Sequence, residues 1–294
     1  MAIPTLLDYQ FWFGLDGVGT LFGMNTEVDV VTVDGLESFD VRSGSRELPR
    51  DDGSVPGFHL VTSKTPIFEL DILGDTEYYE QLEFFKPYRN HEGELHWKFP
   101  GRSQVFMRGR PRGRTAKRDG FTSGKIPVTL AFEMADPRIY GVDQEQQIFI
   151  VFNPERSGLD WNVDWNIDFT TPGGGSDVVA TNDGNVNAYP IIRIYGPVTG
   201  SCDGVLVRNL TTGVDLEIQA AMTTGQVLTV DMDARQRGSG ARIIDLSGVS
   251  KYGAWTLPRD TFFLQPGDNI LRLSLFGGTS ADVQGIVYWR DTSY

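Results

Sequence analysis

The stretch that decides the fold is Trp161-Asn-Val-Asp-Trp-Asn-Ile-Asp-Phe169, in which every odd position is apolar and every even position is polar. Successive side chains of a β-strand point to opposite faces, so this period of two predicts a strand with one buried face and one solvated face. Trp161 and Trp165 lie on the apolar face, which predicts that this pair of tryptophans fills a core.

The same alternation recurs along the chain, at Phe68, Leu70 and Ile72, at Val214, Leu216 and Ile218, and at Leu271, Leu273 and Leu275. Turn-forming clusters such as Asn182-Asp-Gly184 and Pro266-Gly-Asp268 separate these segments, at the spacing expected of sandwiches or barrels. The sequence therefore predicts an all-β fold. One segment, Asp75 to Phe85, differs, because Asp75 is a suitable N-cap and the apolar residues follow at helical spacing. It predicts one short helix.

Composition and charge exclude several classes of protein. The 294 residues include 39 acidic and 26 basic ones, and a net charge of −13 disfavours a general attraction to nucleic acid or to anionic lipid. The single cysteine, Cys202, excludes an intrachain disulfide and a cysteine zinc cluster. No apolar run approaches the roughly 18 residues of a membrane helix, and the first residues have no basic stretch ahead of an apolar segment, so we expect no signal peptide. We expect a soluble protein made in a cytoplasm, with no membrane partner.

The residues that usually carry chemistry are sparse. Only three histidines are present, which makes a Ser-His-Asp or Cys-His arrangement improbable. His91 and His96 are five residues apart with a glycine between them, whereas a zinc-protease helix needs histidines four apart. We interpret them as polar residues of a hairpin that leads into a strand with Leu95 and Trp97. The sequence predicts no catalytic, cofactor or metal site. We therefore expect that the protein is not an enzyme and binds no cofactor. A glycosidase pair of distant carboxylates stays open, but no pair is favoured.

The strongest local charge anomaly lies between residues 102 and 125, which hold eight basic residues and one acidic residue. In an extended chain Phe106, Arg108, Arg110, Arg112 and Arg114 would share one face, so the segment predicts a ribbon with one wall of guanidinium groups.

Three interpretations of this ribbon stay open. Because neighbouring cations repel each other, the ribbon is best explained by carboxylates of the same or a neighbouring acidic subunit, which arginine binds with two parallel hydrogen bonds. The second interpretation is a solvated hairpin. The third, a nucleic-acid groove, is disfavoured because only Phe106 and Phe121 accompany the arginines and the chain is acidic. We expect no sequence-specific contact with nucleic acid.

Aromatic residues suggest a second class of function. Trp255 lies in the glycine-containing connection Tyr252-Gly-Ala-Trp255, which makes it the candidate for an exposed aromatic that stacks on a sugar. Trp255 and the Asn/Asp face of the strand from Trp161 to Phe169 together suggest an alternative function. In this alternative the chain is a carbohydrate-binding module for a host cell-surface glycan.

The domain boundary is predicted near residues 136 to 146. Ala135-Asp-Pro-Arg-Ile-Tyr140 follows the long apolar strand from Ile126 to Met134, and its proline ends a strand ladder. The sequence therefore predicts two domains, residues 1–140 and residues 141–294.

In this order the features resemble the distal tail protein (Dit) of siphophages, in the form found as a minor tail protein in phages of actinobacteria. The resemblance spans nearly the whole chain. The residues that carry it are Gly35 to Arg42 with Asp51-Asp-Gly53 and Pro56-Gly57, Phe132 to Tyr140, Asn185 to Pro197, Pro266-Gly-Asp-Asn269 and Val287-Tyr-Trp-Arg-Asp291.

The resemblance implies a structural virion protein at the distal end of a long non-contractile tail, synthesised in the cytoplasm of a bacterial host. Its N-terminal domain would be a ring-forming β-sandwich or split barrel and its C-terminal domain a jelly-roll, galectin-like β-sandwich. Six copies would form a ring between the tail tube protein, the hub or tail-associated baseplate protein and the tape measure protein. The hairpin between residues 104 and 130 would then reach a neighbour or line the ring, as a closed ring repeats one interface.

Overall fold

A computed structural model describes residues 3–15, 18–38, 40–43, 46–47, 54–55, 59–73, 92–116, 124–151, 177–198, 200–233, 244–256, 261–276 and 283–294. The chain divides into two compact units, residues 1–142 and residues 143–293. Both are built from β-strands, so the prediction of an all-β fold is confirmed. The predicted helix at 75–85 and the predicted strand at 161–169 lie outside the described residues. Within the described ranges no helix is long and apolar enough to cross a membrane.

Unit 1 contains the strands β1 (Gln10–Leu15), β2 (Val18–Gly23), β3 (Val28–Asp34), β4 (Val41–Ser43), β5 (Arg46–Glu47), β6 (Ser54–Val55), β7 (His59–Val61), β8 (Ile67–Leu73), β9 (Gly93–Lys98), β10 (Val105–Ala116), β11 (Lys125–Glu133) and β12 (Ile139–Gly141). Its first sheet has the order β2-β1-β9-β10, and β12 pairs with the start of β10. Its second sheet has the order β10-β11-β8-β3. All these pairs are antiparallel, and β4–β7 and β5–β6 form two small separate ladders.

The alternation of buried and outward-facing side chains explains how most strands of unit 1 pack. In β8 the side chains of Phe68, Leu70 and Ile72 are buried while the residues between them face outward, as predicted. They pack with the inward residues of β1, β9 and β11 into one core that is rich in phenylalanine. Phe68 meets Phe11 and Phe132 edge to face, with ring centroids 5.3 Å and 5.6 Å apart. Such pairs add to the free energy gained by burying the rings.

One strand departs from simple alternation. β9 buries Leu95 and Trp97 in the core, as expected, but it also buries His96, which points to the opposite face. The interpretation of His96 as a polar hairpin residue is therefore wrong. His91 lies outside the described residues. The face that carries His96 is covered by aromatic residues, which are described with the candidate site below.

The long strand β10 belongs to both sheets. From Val105 to Gly109 it pairs with β9, and from Arg110 onward it pairs with β11. The exchange takes place at Gly109, where a Cβ atom would overlap the carbonyl oxygen of Glu133 and the sulfur of Met134. Because one of these atoms belongs to the backbone, it cannot move aside cheaply, and only glycine fits the crossing.

Unit 2 contains the strands β13 (Glu145–Val151), β14 (Val178–Asn182), β15 (Ile191–Tyr195), β16 (Ser201–Cys202), β17 (Gly204–Asn209), β18 (Val214–Ile218), β19 (Met222–Thr223), β20 (Val227–Asp231), β21 (Ile244–Leu246), β22 (Val249–Ser250), β23 (Gly267–Phe276), β24 (Val283–Trp289) and β25 (Thr292–Ser293), and a 3-10 turn at Tyr252–Ala254. One sheet has the order β13-β24-β15-β20-β21-β22 and the other the order β14-β23-β17-β18, while β16 pairs with β19. A continuous apolar core is formed by the inward side chains of both larger sheets. This arrangement is a β-sandwich.

Buried asparagines hold the turns of unit 2. The Asn269 amide donates to the carbonyl oxygens of Gln265 and Gly267, and its side-chain oxygen accepts from the backbone N–H of Gln265 and from Asn209. Asn209 in turn accepts two backbone N–H groups of its own turn. The turn Pro266-Gly-Asp-Asn269 of the sequence is therefore a polar network that satisfies backbone groups at the end of the sandwich.

We predict that Gly109→Ala lowers the free energy of unfolding by about 1–3 kcal/mol, because the added methyl group overpacks the crossing between the two sheets. Gly113→Ala is the matched control in the same strand, since nothing lies within 4 Å of the position its Cβ would take. Urea denaturation of the two variants and the wild type measures the difference. Equal stability of the two variants would contradict the steric account of the crossing.

Candidate functional site

The first half of β10 is buried among aromatic side chains. Phe106 is 2% exposed and lies between His96 and Tyr140, with ring centroids 4.9 Å and 5.4 Å away and nearly parallel planes. The strand register produces this stack, because Phe106 stands opposite His96 of β9 and opposite Tyr140 of β12. The prediction that Phe106 shares the face of the arginine ribbon, at a subunit contact or in the ring lining, is replaced by a position inside the packing of its own unit.

Arg108 is also held within its own unit. Its guanidinium lies 4.9 Å from the centroid of Tyr140 and 5.5 Å from that of Phe106, and its Nε is 3.8 Å from Glu94 Oε1. The other carboxylate oxygen of Glu94 is 3.1 Å from His96 Nε2. With a side chain only 15% exposed, Arg108 covers the aromatic stack and does not offer its charge to a partner.

Asp136 fixes the segment that follows β11. It accepts hydrogen bonds from Arg138 Nε at 2.8 Å, from Arg138 Nη2 at 2.7 Å and from the Tyr140 hydroxyl at 2.6 Å. Burial alone would raise the pKa of Asp136, but the hydrogen bonds and charge of Arg138, with the Tyr140 hydroxyl, hold that pKa below its ordinary value. The hydrogen bonds within the segment from Asp136 to Tyr140 therefore orient the Tyr140 ring over Phe106.

The second half of β10 is exposed and carries the remaining arginines. Arg110 stands opposite Glu133 of β11 and donates to its Oε2 atom from Nη2 at 3.1 Å and from Nε at 3.3 Å. Both side chains are more than a third exposed, so this pair contributes little to stability.

A β-bulge at Arg112 breaks the predicted wall of guanidinium groups. Pro111 stands opposite Phe132, and Gly113 stands opposite Ala131. Arg112 is therefore an extra residue that has no paired residue in β11. Beyond it Arg114 stands opposite Leu130, on the other face of the ladder from Arg110. The prediction that all five residues share one face is therefore wrong. The signal was present in the sequence, because Gly109, Pro111 and Gly113 inside one strand are typical of a bulge or bend.

Arg112 is the exposed cation of this segment. Among the described residues it has neither a hydrogen bond nor an ion pair. A bulged residue is left unpaired in the ladder, and the Arg112 side chain is exposed at the margin of the second sheet. Arg110 and Arg112 are thus the arginines of β10 whose position suits contact with another molecule, with Arg114 on the opposite face.

Trp255 lies in the core of unit 2 and not at its surface. The 3-10 turn at Tyr252–Ala254 places Trp255 beside β18, where it forms an isolated bridge with Ile218, and the side chain is 2% exposed. The expectation of an exposed aromatic is therefore wrong, because the glycine-containing connection turns the ring inward. Trp255 therefore does not support the alternative function of carbohydrate binding. The other part of that predicted site, the strand at 161–169, lies outside the described residues.

The described parts of the chain contain no group of three or more His, Cys, Asp or Glu side chains that could hold a metal ion. Cys202 is buried in the core of unit 2, and burial raises the pKa of its thiol. The chemistry that the exposed residues of β10 support is the binding of carboxylates or other anions by arginine.

We predict that Asp136→Asn destabilises the protein by about 1–3 kcal/mol at pH 7, because it removes the charge from the four hydrogen bonds that Asp136 accepts. A carboxyl whose pKa is lowered by folding stabilises the folded state above its unfolded pKa, and this contribution is lost as the pH falls through the folded pKa. The difference between wild type and variant in urea denaturation should therefore shrink on acidification below about pH 4. Asp40→Asn, at an exposed carboxyl, is the control, and a pH-independent difference would contradict this assignment.

No known protein family matches the sequence, and no curated protein is similar enough in sequence to be matched. Solved structures do match. The Dit protein of phage SPP1, described as a paradigm of the hub adsorption apparatus of phages that infect Gram-positive bacteria, superimposes with a TM-score of 0.62 at 18% identity, over 96% of this chain and 98% of that one.

Two structures of the phage P2 baseplate in its activated conformation, with calcium and with strontium, each match with a TM-score of 0.50, at 13% and 14% identity. The match covers 94% of this chain and 97% of the baseplate chain in both cases. The predicted resemblance to phage distal tail proteins is thereby confirmed at the level of the fold. Over nearly its whole length, the chain has the fold of SPP1 Dit.

Proposed function

We propose that this chain is a structural subunit of the distal end of a long non-contractile phage tail. The observation that carries the proposal is the match to SPP1 Dit, because it covers both units of this chain and nearly all of the other protein. A match limited to one β-sandwich would carry little weight, since sandwiches serve many functions. Here two different units follow each other in the same order.

In this proposal unit 1 forms the ring and six copies close it. The ring joins the tail tube protein to the baseplate hub and the tape measure protein. Exposed strand margins in unit 1 support a contact between copies. β3 pairs only with β8, and β10 beyond Gly109 pairs only with β11, among the described strands. A ring that repeats one heterologous contact covers such margins without growing into a filament.

The proposed role is architectural, so the protein is expected to have no enzymatic activity. Its place is the virion, after synthesis in the cytoplasm of the bacterial host. The proposal assigns the contact with a neighbour to particular arginines. Arg108 is committed to the aromatic stack of its own unit, so Arg110 and Arg112 are left as the cations for a neighbour.

We predict that the purified chain forms a ring. Six copies of 32.7 kDa have a mass of about 200 kDa, and negative-stain images should show a central hole. Native mass spectrometry and sedimentation between about 1 µM and 1 mM protein measure the mass, a range that includes weak contacts. A protein that remains monomeric over this range would contradict the ring.

A further inference from the structure

We infer that the outward face of β3 and β8 in one copy is the surface that receives Arg110 and Arg112 of a second copy of this chain. The inference rests on the proposed function, because it names the two surfaces that meet in the ring. Both lie in the second sheet of unit 1, whose order β10-β11-β8-β3 places them at opposite margins of the sheet.

The receiving surface, called here the acidic face, consists of Asp29, Asp34, Glu69 and Asp71. The register places Asp29 of β3 directly opposite Asp71 of β8, and Glu69 opposite Thr32. Directly opposite residues have Cβ atoms about 4.5–5.5 Å apart, and like charges in such positions repel each other. The pair Asp29 and Asp71 therefore creates a concentrated negative charge on the outward side of the sheet.

The acidic face is incompletely neutralised within its own unit. Lys125 Nζ lies 3.7 Å from Asp71, Thr32 donates to Glu69 at 3.0 Å and the backbone N–H of Gly35 donates to Asp34 at 2.8 Å. Lys125 is the one cation that pairs with these four carboxylates among the described residues. Asp29 has neither an ion pair nor a hydrogen bond there. A cation supplied by another molecule would relieve this repulsion.

The opposite margin of the same sheet supplies that cation. Arg112 is exposed, lies at a bulge and has no partner among the described residues, while Arg110 is bound only to the exposed Glu133. Arginine binds a carboxylate with two parallel hydrogen bonds, so a pair such as Asp29 and Asp71 suits its guanidinium. Because one margin is basic and the other acidic, copies of this unit meet head to tail, which is the heterologous contact of a ring.

Apolar side chains beside the acidic face add area that can be removed from water. Val31 is an extra residue at a bulge in β3 and is 56% exposed, and Ile67 and Leu73 of β8 also point outward. An interface with apolar side chains beside charged ones is typical of specific protein contacts. A nucleic acid would also attract Arg112, but the acidic face of the same sheet would repel it. The second copy is therefore the occupant that fits both margins.

The test uses charge reversal in the full chain. Arg112→Glu and Asp29→Arg should each raise the protein concentration needed for ring assembly at least about tenfold, because each places like charges in contact. The double variant, which exchanges the two charges, should assemble as the wild type does. Arg42→Glu and Asp40→Arg are matched controls at exposed positions in or beside the β4–β7 ladder, which is separate from this sheet. Circular dichroism and melting curves confirm that each variant is folded.

A mixture of the two single variants tests more directly whether residues 112 and 29 meet in the ring. At the concentration at which the wild type just assembles, neither variant should form rings alone, but an equal mixture should form alternating rings with three copies of each. In such a ring the two reversed charges meet at one contact and the unchanged Arg112 meets the unchanged Asp29 at the next, so every contact joins opposite charges. Native mass spectrometry resolves this composition.

The outcomes separate the inference from the ring itself. Wild-type rings together with unaffected single variants would overturn the inference and leave the ring standing. Single variants that fail to assemble, with no rescue in the double variant or the mixture, would also overturn it. A wild type that never assembles would overturn the ring itself.

Discussion

The structure of unit 1 depends on one strand that belongs to two sheets. β10 leaves β9 and joins β11 at Gly109, where the backbone of Glu133 approaches so closely that no side chain fits. Before the crossing the side chains of β10 are buried or half-buried, and after it most of them, including Arg110 and Arg112, are exposed. The division between Arg108, which covers an aromatic stack, and Arg112, which points outward, follows directly from this geometry.

The aromatic stack packs against β10 just before the crossing. His96, Phe106 and Tyr140 cover the face of the first sheet that is opposite the main core, so this sheet is buried on both faces near the start of β10. Asp136 and Glu94 hold the two arginines that lie over the stack. A strand fixed by packing on both sides and by a glycine at the crossing presents its exposed half in a defined direction, which a surface for assembly requires.

Sequence patterns predicted the fold better than the candidate site. The period of two in β8 and the apolar stretch of β11 identified their buried faces, because one side chain out of two truly faces the core there. The same argument failed for β10, since alternation assumes an unbroken ladder, and the bulge at Arg112 moves Arg114 to the other face. It failed for Phe106 and Trp255 because local patterns do not report what covers a residue from a distant segment.

The arginines of unit 2 show why the exposed state of Arg112 is informative. Arg208 and Arg272 stand opposite each other on neighbouring strands, yet each is bound by a carboxylate on its far side. Arg208 donates to Asp215 with two hydrogen bonds of 2.7 Å, and Arg272 donates to Asp177 at 2.6 Å and 2.8 Å. In that sheet each of the two neighbouring arginines is bound by a carboxylate of its own. In the second sheet of unit 1, Arg112 lies at one margin and Asp29 at the other, and neither has an ion pair among the described residues, which is the separation that the inferred contact between two copies would close.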